Sequence, residues 1–102
     1  MSTRPTLLPD ADVASALRSL PGWRHEGHKL LRRYDFGDFS RATACLAGLA
    51  VAAAELDHHP AWSGVYGRLE LELWTHDRGG VTELDLALAR RAAALAHALG
   101  AS

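Results

Sequence analysis

Histidine changes charge near neutral pH, and this sequence places three of its six histidines where chemistry could use them. His58 and His59 stand side by side in Glu55-Leu56-Asp57-His58-His59-Pro60, and His76 stands in Thr75-His76-Asp77. Three kinds of behaviour fit these residue types. Histidines that close a helix can simply favour its dipole or face solvent. His58, His59, His76, Asp57 and Asp77 also offer enough nitrogen and oxygen for a zinc or iron site. Against that, adjacent residues on regular structure diverge, and the usual helical ligand pair is spaced four apart. Lastly, two imidazoles can give and take a proton at neutral pH with no metal, which is what general acid–base catalysis needs. Spacing permits all three.

These residues need elements to carry them. Pro5 and Pro9 mark residues 1–8 as a loose lead-in. Asp10 is expected to cap a helix over about 10–19, with Val13, Leu17 and Leu20 at helical spacing, and Pro21-Gly22 breaks it. Strands are expected over about 23–26 and 29–36, joined across Gly27-His28. Asp38 or Ser40 then opens the longest helix, about 39–56, with Phe39, Ala42, Leu46, Leu49, Ala53 and Leu56 as its inward stripe; Pro60 stops it. Two more strands are expected over about 61–66 and 68–75. The second alternates Leu69, Leu71 and Leu73 against Glu70, Glu72 and Trp74. Gly79-Gly80 closes that segment.

Thr82, with Asp85 three residues on, has the pattern of a capping box for a last helix to about 99. Its expected inward residues are Leu84, Leu88, Ala92, Leu95 and Leu99, and Gly100 is its stop. The order is α-β-β-α-β-β-α. It predicts an α+β two-layer sandwich, a four-stranded antiparallel sheet covered on one face by helices. His58-His59 and His76 end two different elements, and element ends that meet at one rim are where small scaffolds build sites. Two sheet edges stay open, and one could pair with a second chain.

Composition narrows the function classes. A chain of 102 residues fits one domain, 1–102, with a modest core. A net charge of −1 leaves no excess of cations for phosphates, so direct nucleic-acid binding is not expected. No uninterrupted apolar run reaches the ~18 residues of a span, so no membrane association is expected. Met1-Ser2-Thr3-Arg4-Pro5 lacks the apolar core of a signal peptide. The single Cys45 excludes an intrachain disulfide, suits a reducing compartment and predicts a cytoplasmic location. Cys45 itself reads as a small buried residue and Trp23 as core. Trp62 and Tyr66 could line a flat aromatic pocket or simply pack. His25, His28 and His97 read as surface residues, Glu70 and Glu72 as a solvated face, and Arg90-Arg91 as a helix surface pair.

The stretch Leu56-Asp57-His58-His59-Pro60-Ala61-Trp62, then Val65-Tyr66, Thr75-His76-Asp77, Gly79-Gly80-Val81-Thr82 and Asp85, closely resembles the pterin-4a-carbinolamine dehydratases. Gly22-Trp23 and Asp38-Phe39 sit where that family carries similar pairs. The resemblance covers nearly the whole chain. It implies the same α+β sandwich and loss of water from 4a-hydroxytetrahydropterin to give quinonoid dihydropterin, with neither metal nor organic cofactor. It implies His58 and His76 as the acid–base pair and His59 as a third pocket histidine that mainly binds. Asp57, Pro60, Trp62, Thr75, Asp77 and Asp85 complete the implied substrate-binding set. Homodimers through the sheet or homotetramers through helices are implied too.

The chemistry agrees with that assignment. A proton must leave the ring nitrogen beside the carbinolamine carbon, and one must reach the departing hydroxyl. Hydroxide leaves poorly, so a general acid should help by about 10²–10⁴-fold. The family resemblance also implies a non-enzymatic alternative. Animal members stabilise dimers of a homeodomain transcription factor, and some bacterial relatives act as assembly factors that have lost the histidines. This chain keeps all three. A histidine–aspartate phosphoesterase would share the Asp-His-His string but would need further metal motifs and a longer chain. Two departures from the family pattern stand out. The usual carboxylate four residues before His58 is replaced by Ala54, with Glu55 about 100° further round the helix. Trp74 stands where a small residue is usual, on the strand face expected for His76.

Overall fold

The computed structural model describes residues 5–102. The first four residues of the lead-in, and most of the stretch read for a signal peptide, lie outside the described residues. From Pro5 onward the lead-in is tied down. Arg78 Nε donates to the Pro5 carbonyl (2.8 Å), and the Leu8 N–H donates to the Val81 carbonyl (2.9 Å).

Helix α1 (Asp10–Leu17) leads into strands β1 (Arg24–Glu26) and β2 (Lys29–Asp35). Helix α2 (Phe39–Leu56) is followed by β3 (Ala61–Val65) and β4 (Arg68–Leu73), and one 3-10 turn (His76–Arg78) precedes α3 (Glu83–Ala98). The strands pair antiparallel in the order β1-β2-β4-β3, so the expected α-β-β-α-β-β-α sandwich is what forms. The register explains its one-sided core. Leu30 faces Leu73 and Tyr34 faces Leu69 across β2 and β4, so the alternating leucines share one face with β2's apolar residues. That face is buried under α2 and α3, whose Ala42, Ala52, Ala53, Ala89, Ala92 and Ala96 are small enough to pack closely. Trp23 is core as expected, and its indole N–H donates to the Tyr34 hydroxyl (3.0 Å). Cys45 is fully buried, and burial pushes its thiol pKa up, away from reactivity.

Several local expectations are corrected. Pro9, not Asp10, is the N-cap of α1, and Asp10 takes the first helical turn, where an acid faces the positive end of the dipole. Asp38 caps α2 by accepting from the Arg41 N–H (2.8 Å). Phe39 is not part of the inward stripe; it is 66% exposed. Cys45 and Ala52 are fully buried instead, and Phe39 joins Tyr66 along a groove beside the β3–β4 turn. On α3 the buried phase is Asp85, Leu86, Leu88, Ala89, Ala92 and Ala96, and Leu84 is only half-buried. The capping box causes this. It turns Asp85 inward, and Leu84 then lies about 100° away. Strand β4 stops at Leu73, two residues early, because Thr75 bridges to Gly80 across the 3-10 turn.

Helix α2 is long and apolar enough for a membrane span by length and mean hydropathy (1.3) alone. One of its faces packs on the sheet and α3, while Val51 and several alanines face outward.

Candidate active site

The end of α2 sorts the two adjacent histidines. Asp57 adopts the left-handed conformation (φ 49°, ψ 45°), which Asp tolerates better than most residues. This reverses the chain, and the His58 N–H returns to the Ala53 carbonyl (3.0 Å), as in a Schellman stop. His58 is thereby turned inward and buried, while His59 stays exposed. Asp57 thus has a defined backbone role at the head of the motif.

The start of α3 supplies the partner of His58. Thr82 is the N-cap and Asp85 closes the capping box. Asp85 Oδ2 accepts from the Thr82 N–H (2.9 Å) and from the Thr75 hydroxyl (2.9 Å), and its Oδ1 lies 2.5 Å from His58 Nε2. The Thr75 proton is used on Asp85, so Thr82 must donate to Thr75 across 2.7 Å. Asp85 and Thr82 are fully buried, and Thr75 nearly so. The only buried side-chain N or O without a partner among the described residues is Arg32 Nε, so this network is closed.

The closed network dictates the tautomer of His58. With Oδ2 already filled by two donors, Asp85 presents an acceptor to the imidazole, and Nε2 must carry the hydrogen. Nδ1, on the other side of the ring, is left with its lone pair. This is a carboxylate-oriented histidine, and a proton arriving at Nδ1 would have its charge balanced by Asp85. Asp85 and Thr75 were expected to bind substrate. Both are buried in the network that holds His58.

Thr75 links this network to His76. Its backbone N–H donates to the Gly80 carbonyl (2.8 Å), and the 3-10 turn that follows ends at Gly79 in the left-handed region (φ 68°). His76 opens that turn and is exposed. Its imidazole stacks on the Trp74 indole, with ring centroids 4.2 Å apart and planes 22° apart. His28 meets the same indole edge-on at 5.6 Å. Lys29 Nζ lies 4.9 Å from the indole centroid and 2.5 Å from Glu72 Oε1. His28 and Lys29 were missed as neighbours of Trp74. The register holds the signal: Leu30 pairs with Leu73, which sets Lys29 beside Trp74.

The remaining candidates are placed elsewhere or peripherally. His59 lines a cleft of about 300 Å³ with Pro60, Trp62 and the α2 residues Leu46, Ala50 and Ala53. Trp62 is 55% exposed and also borders the groove that holds Phe39 and Tyr66. Asp77 is exposed within the 3-10 turn. The displaced acid, Glu55, accepts from Arg91 Nη1 (3.1 Å) and ties α2 to α3 on the surface. Among the described residues no three His, Cys, Asp or Glu side chains converge as metal ligands would.

Comparison with known proteins decides the family. Residues 6–95 match the family profile described as Pterin 4 alpha carbinolamine dehydratase. The chain belongs to the pterin-4-alpha-carbinolamine dehydratase family. Two relatives provisionally named for that dehydratase come from Synechococcus sp. (strain WH7803) and Thermomicrobium roseum. The first is 43% identical over 90 residues, covering 88% of this chain and 97% of its own. The second is 46% identical over 89 residues, covering 87% and 96%. A crystal structure from Brucella melitensis, described as a transcriptional coactivator/pterin dehydratase, superposes with a TM-score of 0.86 at 40% identity, over 89% of this chain and 99% of that one. A more distant member of the dehydratase fold, a pterin dehydratase-like RuBisCO assembly factor of the alpha-carboxysome, matches with a TM-score of 0.64 at 28% identity, over 74% and 89%. Family and relatives agree on a pterin dehydratase domain.

Proposed function

We propose that this chain dehydrates a 4a-hydroxytetrahydropterin to the quinonoid dihydropterin and water by histidine acid–base catalysis. The observation that carries this reading is the buried His58–Asp85 pair, in a family domain that also retains His59 and His76. His58 Nδ1 takes the proton from the ring nitrogen beside the carbinolamine carbon. The electron pair left on that nitrogen forms the C=N bond as the C–O bond breaks. His76 gives its proton to the leaving hydroxyl, which departs as water. For the opposite 4a epimer the two histidines exchange roles. His59 and Trp62 offer a flat surface for binding, and no metal or organic cofactor enters the scheme.

The reading includes a homo-oligomer. β3 is an open sheet edge, and Phe39 and Tyr66 (82% exposed) line an apolar groove beside it that a second copy would cover. The same surface favours the second reading, a dimerisation or assembly protein on this scaffold. A single, free and buried Cys45 supports placing the activity in the cytoplasm.

The test is direct. Purified protein is mixed with freshly generated 4a-hydroxytetrahydropterin, and dehydration is followed by absorbance with and without chelator. Acceleration that survives chelation is expected. No acceleration over buffer sinks the enzyme reading in favour of the assembly one, and loss on chelation replaces the metal-free scheme.

A further inference from the structure

Trp74 is unusual for its place, and three neighbours converge on it. It follows β4 directly, where the strand alternation puts it on the outer face beside Glu72. His76 stacks on its ring at 4.2 Å, His28 meets it edge-on at 5.6 Å, and Lys29 lies 4.9 Å from its centroid. Lys29 is itself held by Glu72 at 2.5 Å. The indole is therefore fixed by β2 and by the β1–β2 turn, and the histidine against it is not otherwise enclosed.

We propose that Trp74 is the positioning residue of His76, a role that rests on the dehydratase reading above. His76 is exposed on a three-residue 3-10 turn, an element too short to hold a side chain in one rotamer by packing. A free imidazole there would sample about three χ1 wells and two broad χ2 orientations. The near-parallel stack selects among these and covers one ring face. That leaves substrate the other face and the nitrogen-bearing edge, through which proton transfer runs. His58 reaches the same end by a different route, since a buried carboxylate orients it. The two members of the pair are thus oriented by unlike devices, a hydrogen bond for one and an aromatic stack for the other. Lys29 and His28 act on the platform, and none of the three needs to touch substrate.

Trp74→Ala and Trp74→Phe separate positioning from bulk structure. Rates on 4a-hydroxytetrahydropterin give kcat and KM, and proton NMR reads the ring-current shift of the His76 imidazole, with melting temperature as the folding control. Rotamer counting predicts a kcat about 3- to 6-fold lower in Trp74→Ala, with KM moved less. The His76 proton signals should move downfield as the ring current is lost. Trp74→Phe should restore most of kcat and part of the shift. An active wild type whose Trp74→Ala variant keeps its kcat overturns the proposal, as does a drop that Phe fails to rescue while the fold is intact. An inactive wild type overturns the dehydratase reading itself, and with it the catalytic part of this one.

Discussion

Replacing Asp85 by Asn should leave the fold nearly intact and disable His58, because the network admits only one orientation of the new amide. The Thr82 N–H is a backbone donor and cannot turn, so the Asn oxygen must stay on it and on the Thr75 hydroxyl. The NH₂ group then faces His58 Nε2 across what is now a 2.5 Å contact. Two donors cannot share that line. His58 must move its hydrogen to Nδ1, which converts the proposed base into a donor, and the imidazolium loses its counter-charge. Loss of one general base costs about 10²–10⁴ in rate. Stability should suffer less, about 1–3 kcal/mol, since three charge-assisted bonds become neutral ones while a buried charge is removed. For a domain of this size each kcal/mol of that is a melting temperature lower by about 4–8 °C. Asp85→Ala differs in kind. It strands three buried donors at about 1–3 kcal/mol each, so stability and activity fall together. Absorbance-followed dehydration gives the rate, thermal melts give the stability, and nitrogen-15 shifts of the His58 ring give the tautomer. A folded Asp85→Asn protein within threefold of the wild-type rate, or one with the His58 tautomer unchanged, would refute this reasoning.

Two further outcomes follow from the same geometry. His58→Ala and His76→Ala should each slow dehydration, and each should affect the two 4a epimers unequally and in opposite order; equal losses on both epimers would remove the exchange of roles. Asp38 makes the α2 cap sensitive to acid. The Arg41 backbone N–H, first among its partners, holds the Asp38 carboxyl below its ordinary value of 3.8. The cap's contribution is therefore complete above that value and fades as pH falls through the lower folded one. The melting temperature of the wild type should fall further between about pH 5 and pH 3 than that of Asp38→Asn, which keeps an acceptor but cannot titrate. Parallel melting curves across that range would exclude Asp38 as a contributor.

Much of the fold was legible because its signals are local. The Leu69-Leu71-Leu73 alternation needs only a period of two, and the Thr82–Asp85 box needs only residues three apart. Phe39 shows where such reasoning stops. It keeps the 3.6 period of the inward stripe, but nothing in that period tells where the sheet beneath it ends. For Leu84 the hydrophobicity pattern misleads outright, because the residue that takes the inward phase is the charged Asp85, whose burial is affordable only with His58, Thr75 and Thr82 around it.

The candidate site divides in the same way. The histidines could be picked out by type, and the family resemblance assigned them a reaction, but their orientation depends on contacts between residues far apart in sequence. His58 meets Asp85 across 27 positions, and Lys29 meets Glu72 across 43. Both departures from the family pattern are resolved only at that level. Glu55, the displaced acid, is spent on an exposed pair with Arg91, so the carboxylate that serves His58 comes from α3. Trp74 enlarges the site on the opposite flank, where it gives an exposed histidine the restraint that its short turn does not. Of the two imidazoles that the proposed reaction needs, His58 is thus held by Asp85, which belongs to the family pattern, and His76 by the Trp74 indole, which departs from it.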